Sequence, residues 1–423
     1  MAGGILGTNV TLNNSTVSGN SAFAQTGGIA GINVTLNNST VSGNSVEFVG
    51  GGVLSIDDVT LNNSTVSGNY AGFVGGGVYS QNGVVNLNNS TVSGNSTKGN
   101  GGGIRAQGGT ILNSTIAYNV ADMENDGTGD GGGIYRPGTM GTFTIQNSIV
   151  AQNSDRSGEA NDLGGTFDTI EYSLIQDTSG ATINNSSNNI IGQDPQLLPL
   201  GDYGGPTQTH ALKLTSPALN AGNNALAGSL TTDPRGAPGQ RIAEGTVDIG
   251  AFEWQGAEII PIGEQNQTIT SFPSTLDVSV RLAERVFDNP AVGINVGFST
   301  SGTVTGSFTN GTTVLTNANG VAANFFAATS GTENFQILTA VMGADPLTFN
   351  ITIDLPAAPT PPNFTSIWES ILDELHKGAL VGSACQTVPE INLEPDDDGE
   401  DAEAEQEIQY DRNCRPVSSQ SEE

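Results

Sequence analysis

Residues 34–44 read Val-Thr-Leu-Asn-Asn-Ser-Thr-Val-Ser-Gly-Asn, and this segment is the unit of a repeat. The same eleven residues recur around Leu12 and Leu61, and degenerate copies follow. The central serine of the segment recurs at Ser15, Ser39, Ser64, Ser90, Ser114, Ser148 and, in a weaker copy, Ser173. The first six are separated by 24, 25, 26, 24 and 34 residues. Repeats of this length indicate an architecture of stacked units.

Each repeat predicts one coil of a parallel β-helix. Its short runs of Val, Ile, Leu and Thr are broken by Asn and Gly, and three strands with three bends fill about 25 residues. Asn tolerates left-handed backbone angles, and its amide can pair with the same Asn one coil away. Stacking in register predicts two buried ladders, which contain Leu12, Leu36, Leu61 and Leu87, and Val17, Val41, Val66 and Val92.

The charge of the chain excludes several partners. It has 43 acidic and 12 basic residues, a formal net charge of −31. Such an anionic chain is repelled by phosphate backbones, so nucleic acid is not an expected partner. The sequence contains no run of about 18 apolar residues, so no membrane span is predicted. Its first residues show no basic segment followed by an apolar stretch, so no signal peptide is predicted.

An acidic insertion accounts for the longest spacing. It reads Asp122-Met123-Glu124-Asn125-Asp126-Gly127-Thr128-Gly129-Asp130. Oxygen ligands at positions 1, 3 and 5, a glycine at 6 and an acid at 9 match a calcium-binding loop. Gly133 stands where such a loop has a bidentate Glu. Two interpretations stay open, a solvated acidic loop and a Ca²⁺ site formed by Asp122, Glu124, Asp126 and Asp130.

The regular coils offer no catalytic set. A glycosidase needs two carboxylates that face one groove. Glu47 and the pair Asp57-Asp58 have no acidic counterpart one coil later, and the basic residues lie at different phases of the repeat. We therefore predict no catalytic residue and a non-enzymatic structural or adhesive protein. The alternative is a carbohydrate-active enzyme, a polysaccharide lyase or a glycoside hydrolase, on a β-helix scaffold.

A family resemblance rests on the segment after the repeats. Its phrases are Asn188-Asn189-Ile190-Ile191-Gly192-Gln193-Asp194-Pro195, Gly204-Gly205-Pro206-Thr207-Gln208-Thr209-His210, Ser216-Pro217-Ala218-Leu219-Asn220-Ala221-Gly222, and Val247-Asp248-Ile249-Gly250-Ala251-Phe252-Glu253. With these phrases, residues 1–254 resemble bacterial secreted right-handed β-helix proteins of the polymorphic-outer-membrane-protein type, in particular the "choice-of-anchor Q" group. The resemblance implies an extracellular or cell-surface protein, with surface glycans or proteins as partners.

The segment after the repeats reads as a closing module. We expect its apolar residues to cover the last coil, which would otherwise leave unpaired backbone groups. His210, Asp233, Arg235 and Asp248 are its polar candidates, and a buried ion pair that fixes the module is favoured over catalysis. At the other end, the open first coil at Gly3-Gly4-Ile5 predicts self-association with a second chain.

The pattern changes after Trp254. Residues 257–356 alternate in longer runs separated by turn signals, which is typical of a β-sandwich. With Asn289–Phe298 and Thr316–Ala322, they resemble the immunoglobulin-like domains of invasin-type bacterial adhesins, which implies a spacer. Residues 357–423 read as a Pro-rich linker, a short amphipathic helix and an acidic, largely disordered tail.

The predicted organisation is all-β. Residues 1–187 form a right-handed parallel β-helix, 188–256 its closing module, 257–356 an immunoglobulin-like β-sandwich, and 357–423 the linker, helix and tail.

Overall fold

The computed structural model describes residues 2–341 and 344–357. Within these ranges every regular element is a β-strand, which confirms the all-β prediction. Accordingly, the described residues contain no helix that could cross a membrane. The predictions for the tail beyond residue 357 lie outside the described residues.

The repeats form a parallel β-helix of about seven turns. Sheet 1 contains Ile5–Leu6, Ile29–Gly31, Val53–Ser55, Val78–Ser80, Ile104–Arg105, Ile134–Tyr135 and the first part of Leu163–Glu171. Sheet 2 contains Asn9–Asn13, Asn33–Asn37, Val59–Asn62, Val84–Asn88, Gly108–Leu112, Phe143–Gln146, the rest of Leu163–Glu171, and Ala181–Ser187. Sheet 3 contains Thr16–Ser18, Thr40–Ser42, Thr65–Ser67, Thr91–Ser93, Thr115–Ala117, Ile149–Ala151, Leu174–Ile175 and Ile190–Ile191. Sheet 4 contains Ser21–Ala22, Ser45–Val46, Tyr70–Ala71, Ser96–Thr97, Val120–Ala121 and Ser154–Asp155.

A complete coil therefore has four short strands where the repeat length predicts three longer ones. The extra division is a bend between sheets 1 and 2. There the Ser55 hydroxyl donates to the carbonyl of Asp58, 3.0 Å away, while the N–H groups of Ile56 and Asp57 still donate to the carbonyls of Gly31 and Ile32 in the preceding coil. In the last full coil the bend is absent, and Leu163–Glu171 runs through both sheets as one strand.

The two predicted apolar ladders are confirmed. Leu61 pairs in register with Leu36 and Leu87, and Val66 pairs with Val41 and Val92. These side chains are fully or almost fully buried. Because a fully buried Leu or Val contributes roughly 1.5–3 kcal/mol, the ladders supply a core that lengthens with every coil.

The coils turn at positions that Asn and Gly tolerate. The asparagine that precedes the central serine of each repeat adopts a left-handed conformation, with φ between 45° and 48°. These residues are Asn14, Asn38, Asn63, Asn89, Asn113 and Asn147. The middle glycine of each run is required for a different reason. A Cβ on Gly76 would lie 2.5 Å from the carbonyl oxygen of Gly102 in the next coil, so a side chain there would separate the coils.

A buried asparagine ladder follows the corner between sheets 3 and 4. It contains Asn20, Asn44, Asn69, Asn95, Asn119 and Asn153 and ends at Asp162. Asn69 shows the repeating unit. Its Oδ1 accepts the backbone N–H and the side-chain amide of Asn44, both at 2.9 Å, and its Nδ2 donates to Val41 O at 3.0 Å and to Asn95 Oδ1 at 2.9 Å. All four hydrogen-bonding positions of the amide are used.

The closing segment lies along the outer face of sheet 3, whereas the sequence led us to expect it over the last turn. Thr91 and Thr209 hydroxyls are 3.2 Å apart, and the backbone N–H of Ala251 donates to the Thr115 hydroxyl at 3.0 Å. Its buried side chains include Leu197, Leu212, Ile249, Phe252 and Trp254. Two features of sheet 3 account for this position: its outward Thr hydroxyls bond the segment, and its outward Ile149 and Leu174 join the apolar side chains of the segment in one buried cluster.

Residues 257–353 form three further sheets around one core. One contains Ala257–Pro261, Val280–Glu284 and Val321–Ala322. The second contains Asn266–Ile269, Leu347–Ile353, Phe335–Ala340, Asn295–Ser301 and Thr313–Leu315, and the third contains Ser274–Asp277, Phe325–Ser330 and Thr305–Phe308. Pairing is antiparallel except between Asn266–Ile269 and Leu347–Ile353. The architecture agrees with a β-sandwich, and the immunoglobulin-like assignment stays a prediction.

The buried asparagine ladder yields a stability prediction. Replacing Asn69 by Ala leaves buried partners of its amide unsatisfied, and we expect a loss of roughly 2–5 kcal/mol in the free energy of unfolding. The matched control is Asn62→Ala, because the amide of Asn62 bonds Asn37 on the outer face of sheet 2, where water can replace it. We expect the control to change stability by less than about 1 kcal/mol. Urea titration of both variants measures the two losses in the free energy of unfolding. Equal losses would contradict a special role for the buried ladder.

Candidate functional site

A row of exposed aromatic rings marks the corner that follows sheet 4. Phe23, Phe48 and Phe73 each come just after a sheet 4 strand, and their side chains are 75 %, 48 % and 66 % exposed. We call them the Phe row. Large apolar side chains that stay exposed side by side are unusual in a protein that has a core to bury them in.

The stacking of coils fixes the Phe row. The backbone N–H of Phe73 donates to the carbonyl of Phe48 at 2.7 Å, which sets one ring per coil. The rings of Phe23 and Phe48 are 5.8 Å apart, edge to face. The three rings therefore lie on successive coils at one corner of the β-helix.

An ion pair continues the corner in the next coils. Lys98 Nζ lies 2.6 Å from Glu124 Oε1, and both side chains are about half exposed. Hydrogen bonding to Glu124 and its charge raise the pKa of Lys98. A groove of about 410 Å³ lies beside this pair, and its lining includes Phe73, Arg105 and Thr128. The groove connects the Phe row with the acidic insertion.

The structure separates the four predicted calcium ligands. Asp122 is buried and accepts the backbone N–H groups of Asp126 and Gly127, at 3.1 and 3.0 Å. Although burial opposes its ionisation, these bonds lower the pKa of Asp122 overall. Asp126 accepts the backbone N–H of Thr128, and Glu124 pairs with Lys98.

Asp130 meets two carboxylates that the sequence did not indicate. Oxygen atoms of Asp130, Asp155 and Glu159 lie within 4.8 Å of one another, the one such group of three or more His, Cys, Asp or Glu among the described residues. Burial, together with the charges of Asp155 and Asp122, raises the pKa of Asp130. A cation would relieve this repulsion. Calcium binding stays a prediction, now with Asp155 and Glu159 as additional candidate ligands.

His210 joins the closing segment to sheet 3. Its Nδ1 lies 2.8 Å from the carbonyl of Leu198, so Nδ1 carries the proton and Nε2 accepts the Ser93 hydroxyl at 2.8 Å. Burial lowers the pKa of His210, which keeps the ring neutral. Both His210 and Ser93 are buried. The backbone N–H of Gly94, beside Ser93, already donates to Ala117, so it is not free to stabilise an oxyanion.

The remaining polar candidates form a buried network. Arg235 pairs with Asp233 and with Glu284 of the sandwich, both at 2.8 Å, and its guanidinium lies 4.1 and 4.0 Å from the ring centroids of Phe252 and Phe287. It fastens the closing segment to residues 257–353.

Asp248 also belongs to the buried interior, but it binds backbone. It accepts the N–H groups of Asn220 and Trp254, at 2.7 Å each. Burial raises its pKa to about 7, and burial with the charge of Asp248 raises the pKa of Glu253 to about 8. These contacts support a structural role for the network.

Sequence reasoning missed the Phe row and the acids Asp155 and Glu159. Phe48 and Phe73 occupy the same position of the repeat, whereas Phe23 aligns with Glu47, so an alignment of the repeats places only two of the three rings in one row. Asp155 and Glu159 lie beyond the insertion, and only the pairing of Ser154–Asp155 with Val120–Ala121 brings them beside Asp130.

No family model, no curated protein and no solved structure matches this chain.

Calcium titration can distinguish the ligands predicted from the sequence from the group of Asp130, Asp155 and Glu159. Millimolar Ca²⁺ should raise the Tm of the protein and produce heat on calorimetric titration, because the cation offsets the repulsion among carboxylates. We expect Asp155→Asn to abolish both signals and Glu124→Gln, whose parent carboxylate pairs with Lys98, to keep them. No heat with the unaltered protein would leave a solvated acidic loop as the explanation.

The buried carboxyl groups predict the pH dependence of stability. The unfolded pKa values of Asp and Glu are about 4, whereas those of Asp248 and Glu253 are raised to about 7 and about 8 in the folded protein. Between these limits the folded protein binds more protons, so the free energy of unfolding should fall as pH rises from about 4 to about 8. Glu253→Gln should flatten this slope, while Glu258→Gln, on an exposed side chain, should not. Stability that increases over this range would contradict the prediction.

Proposed function

We propose that this protein is a non-enzymatic structural or adhesive protein that acts outside the cell or at its surface, and that the Phe row is its contact site for glycans. The single observation that carries the proposal is the exposure of three aromatic rings at one per coil. The location rests on the resemblance of residues 1–254 to secreted β-helix proteins.

The geometry of the Phe row suits an extended glycan. Aromatic rings bind the apolar C–H faces of sugar rings, and coils repeat at about 4.8 Å, the strand spacing of a sheet, which is close to the length of one sugar unit in an extended chain. Next to the row, Lys98, Arg105 and Glu124 supply hydrogen-bond partners for sugar hydroxyls. A cation at Asp130 would stiffen the adjoining loop.

Two contacts support binding over catalysis. Glu124, the acid in the groove lining, is paired with Lys98. Ser93 and His210 are hydrogen-bonded as a nucleophile and a base would be, and they help to line a cavity of about 530 Å³, but the neighbouring N–H of Gly94 is engaged. The carbohydrate-active enzyme remains the alternative, and this cavity is the observation on which it rests.

The proposal predicts glycan binding that depends on the Phe row. On an array of neutral oligosaccharides, the protein should bind extended β-linked chains, and Phe48→Ser should weaken binding about fivefold to tenfold, since one aromatic contact contributes roughly 1 kcal/mol. The matched control is Phe325→Ser, a partly exposed phenylalanine of the sandwich, which should leave binding unchanged.

A second assay separates the proposal from the enzyme alternative. The protein is incubated with acidic and neutral polysaccharides, and the release of reducing ends or unsaturated products is measured. We expect no release. Product formation that disappears in Glu124→Gln or Ser93→Ala would favour an enzyme, and binding that survives Phe48→Ser would overturn the contact site.

A further inference from the structure

The outer face of sheet 2 carries a second regular surface, distinct from the Phe row. Two rows of outward side chains cross it in strict register. The threonine row contains Thr11, Thr35, Thr60, Asn86, Thr110, Thr144 and Thr169. The asparagine row contains Asn13, Asn37, Asn62 and Asn88 in the first four coils. The side chains of the threonine row are exposed or half-exposed, so no other part of the described chain covers them.

The side chains of this face are held in fixed positions. Asn37 Nδ2 donates to Asn13 Oδ1 at 2.8 Å, and Asn62 Nδ2 donates to Asn37 Oδ1 at 2.9 Å. Asn37, which donates to Asn13 and accepts from Asn62, keeps one N–H and one lone pair free. Thr is branched at Cβ and has few rotamers. The face thus presents methyl groups, hydroxyls and amides at constant orientation.

The spacing of the face is set by β geometry. Neighbouring coils are about 4.8 Å apart, and residues i and i+2 of a strand are about 6.6 Å apart. The two rows therefore form a regular grid over the first three coils, from Thr11 and Asn13 to Thr60 and Asn62, and Asn86 continues the threonine row in the fourth coil.

The chemistry of the grid restricts its ligand. In the first four coils neither row contains a charged or aromatic side chain, although the whole chain has a net charge of −31. Sugar faces that stack on aromatic rings therefore find no partner in the two rows, and Asp58, two residues before Thr60, is an exposed charge beside them. A grid of fixed, neutral donors, acceptors and methyl groups is complementary to a ligand that is itself neutral, flat and periodic in two directions. Crystalline water has these properties, because its molecules are hydrogen-bonded on a lattice with comparable repeats.

We propose that the threonine and asparagine rows of sheet 2 bind the surface of ice. The free N–H groups and hydroxyls hold water molecules in lattice-like positions, and the Thr methyl groups limit how those molecules can reorient. The surface must be rigid, because ordering its own side chains on binding would cost free energy that the contacts with ice would have to offset.

The test uses the full chain and ice as the probe. A dilute solution is partially frozen on a cold probe, and the fraction of protein in the ice is compared with that in the liquid. The protein should be enriched in the ice and should slow the recrystallisation of small crystals. Thr60→Tyr, which places a bulky ring on the grid, should abolish both effects. Thr313→Tyr, on an exposed strand residue of the sandwich, is the matched control and should retain them.

A milder pair of changes guards against misfolding. Thr35→Ser with Thr60→Ser removes two methyl groups and keeps both hydroxyls, and we expect it to reduce enrichment while circular dichroism and Tm stay close to those of the parent. Exclusion of the unaltered protein from ice would overturn the proposal. Equal loss in Thr313→Tyr, or binding to crystalline cellulose or chitin that depends on Thr60 without any enrichment in ice, would overturn it as well.

Discussion

The buried asparagine ladder is the interaction on which the other features depend. It brings the backbone of each coil to a fixed distance from the next, because every amide bonds the main chain and side chain of its neighbours. Buried amides with unsatisfied donors or acceptors would destabilise the fold. Fully hydrogen-bonded amides instead fix the distance between neighbouring coils. The apolar ladders supply a core that lengthens with each coil, and a one-residue slip would turn their side chains outward, so they favour the same register. The hydrogen bonds of the buried ladder also hold the register that aligns the outward Thr and Asn side chains of the first coils.

Contacts between the closing segment and sheet 3 determine which faces of the β-helix stay exposed. The closing segment occupies sheet 3, where Thr and Ser hydroxyls pair with its backbone and with His210. Arg235 then connects this segment to Glu284, between two aromatic rings. The closing segment also bonds the corner between sheets 2 and 3, at Asn63, Asn89 and Asn147, whereas the threonine row of sheet 2 and the sheet 4 corner stay at least partly exposed. The candidate glycan and ice surfaces are thus the faces that the closing segment does not use.

Much of the fold could be predicted from the sequence because the repeat is local. Each copy carries its own strands, its left-handed Asn and its glycine run, so the Leu and Val ladders follow from counting residues. Contacts between distant segments could not be predicted in the same way. The position of the closing segment depends on which hydroxyls face outward, and the partnership of Asp130 with Asp155 and Glu159 depends on the pairing of coils across the insertion. The Phe row was visible in principle, but exposed Phe carries no signal until the direction of each side chain is known.

The end of the asparagine ladder has a consequence for how such a protein changes length. Asp162 accepts hydrogen bonds at both carboxylate oxygens, from Asn153 on one side and from the backbone of Asp177 on the other. An amide in its place would put a donor against a donor. A duplicated coil can therefore be inserted between any two asparagines without loss of a bond, but not beyond Asp162. The three identical copies of the repeat lie at the end remote from Asp162, and the copies diverge towards it. This is the pattern that growth by duplication from a fixed terminus would leave.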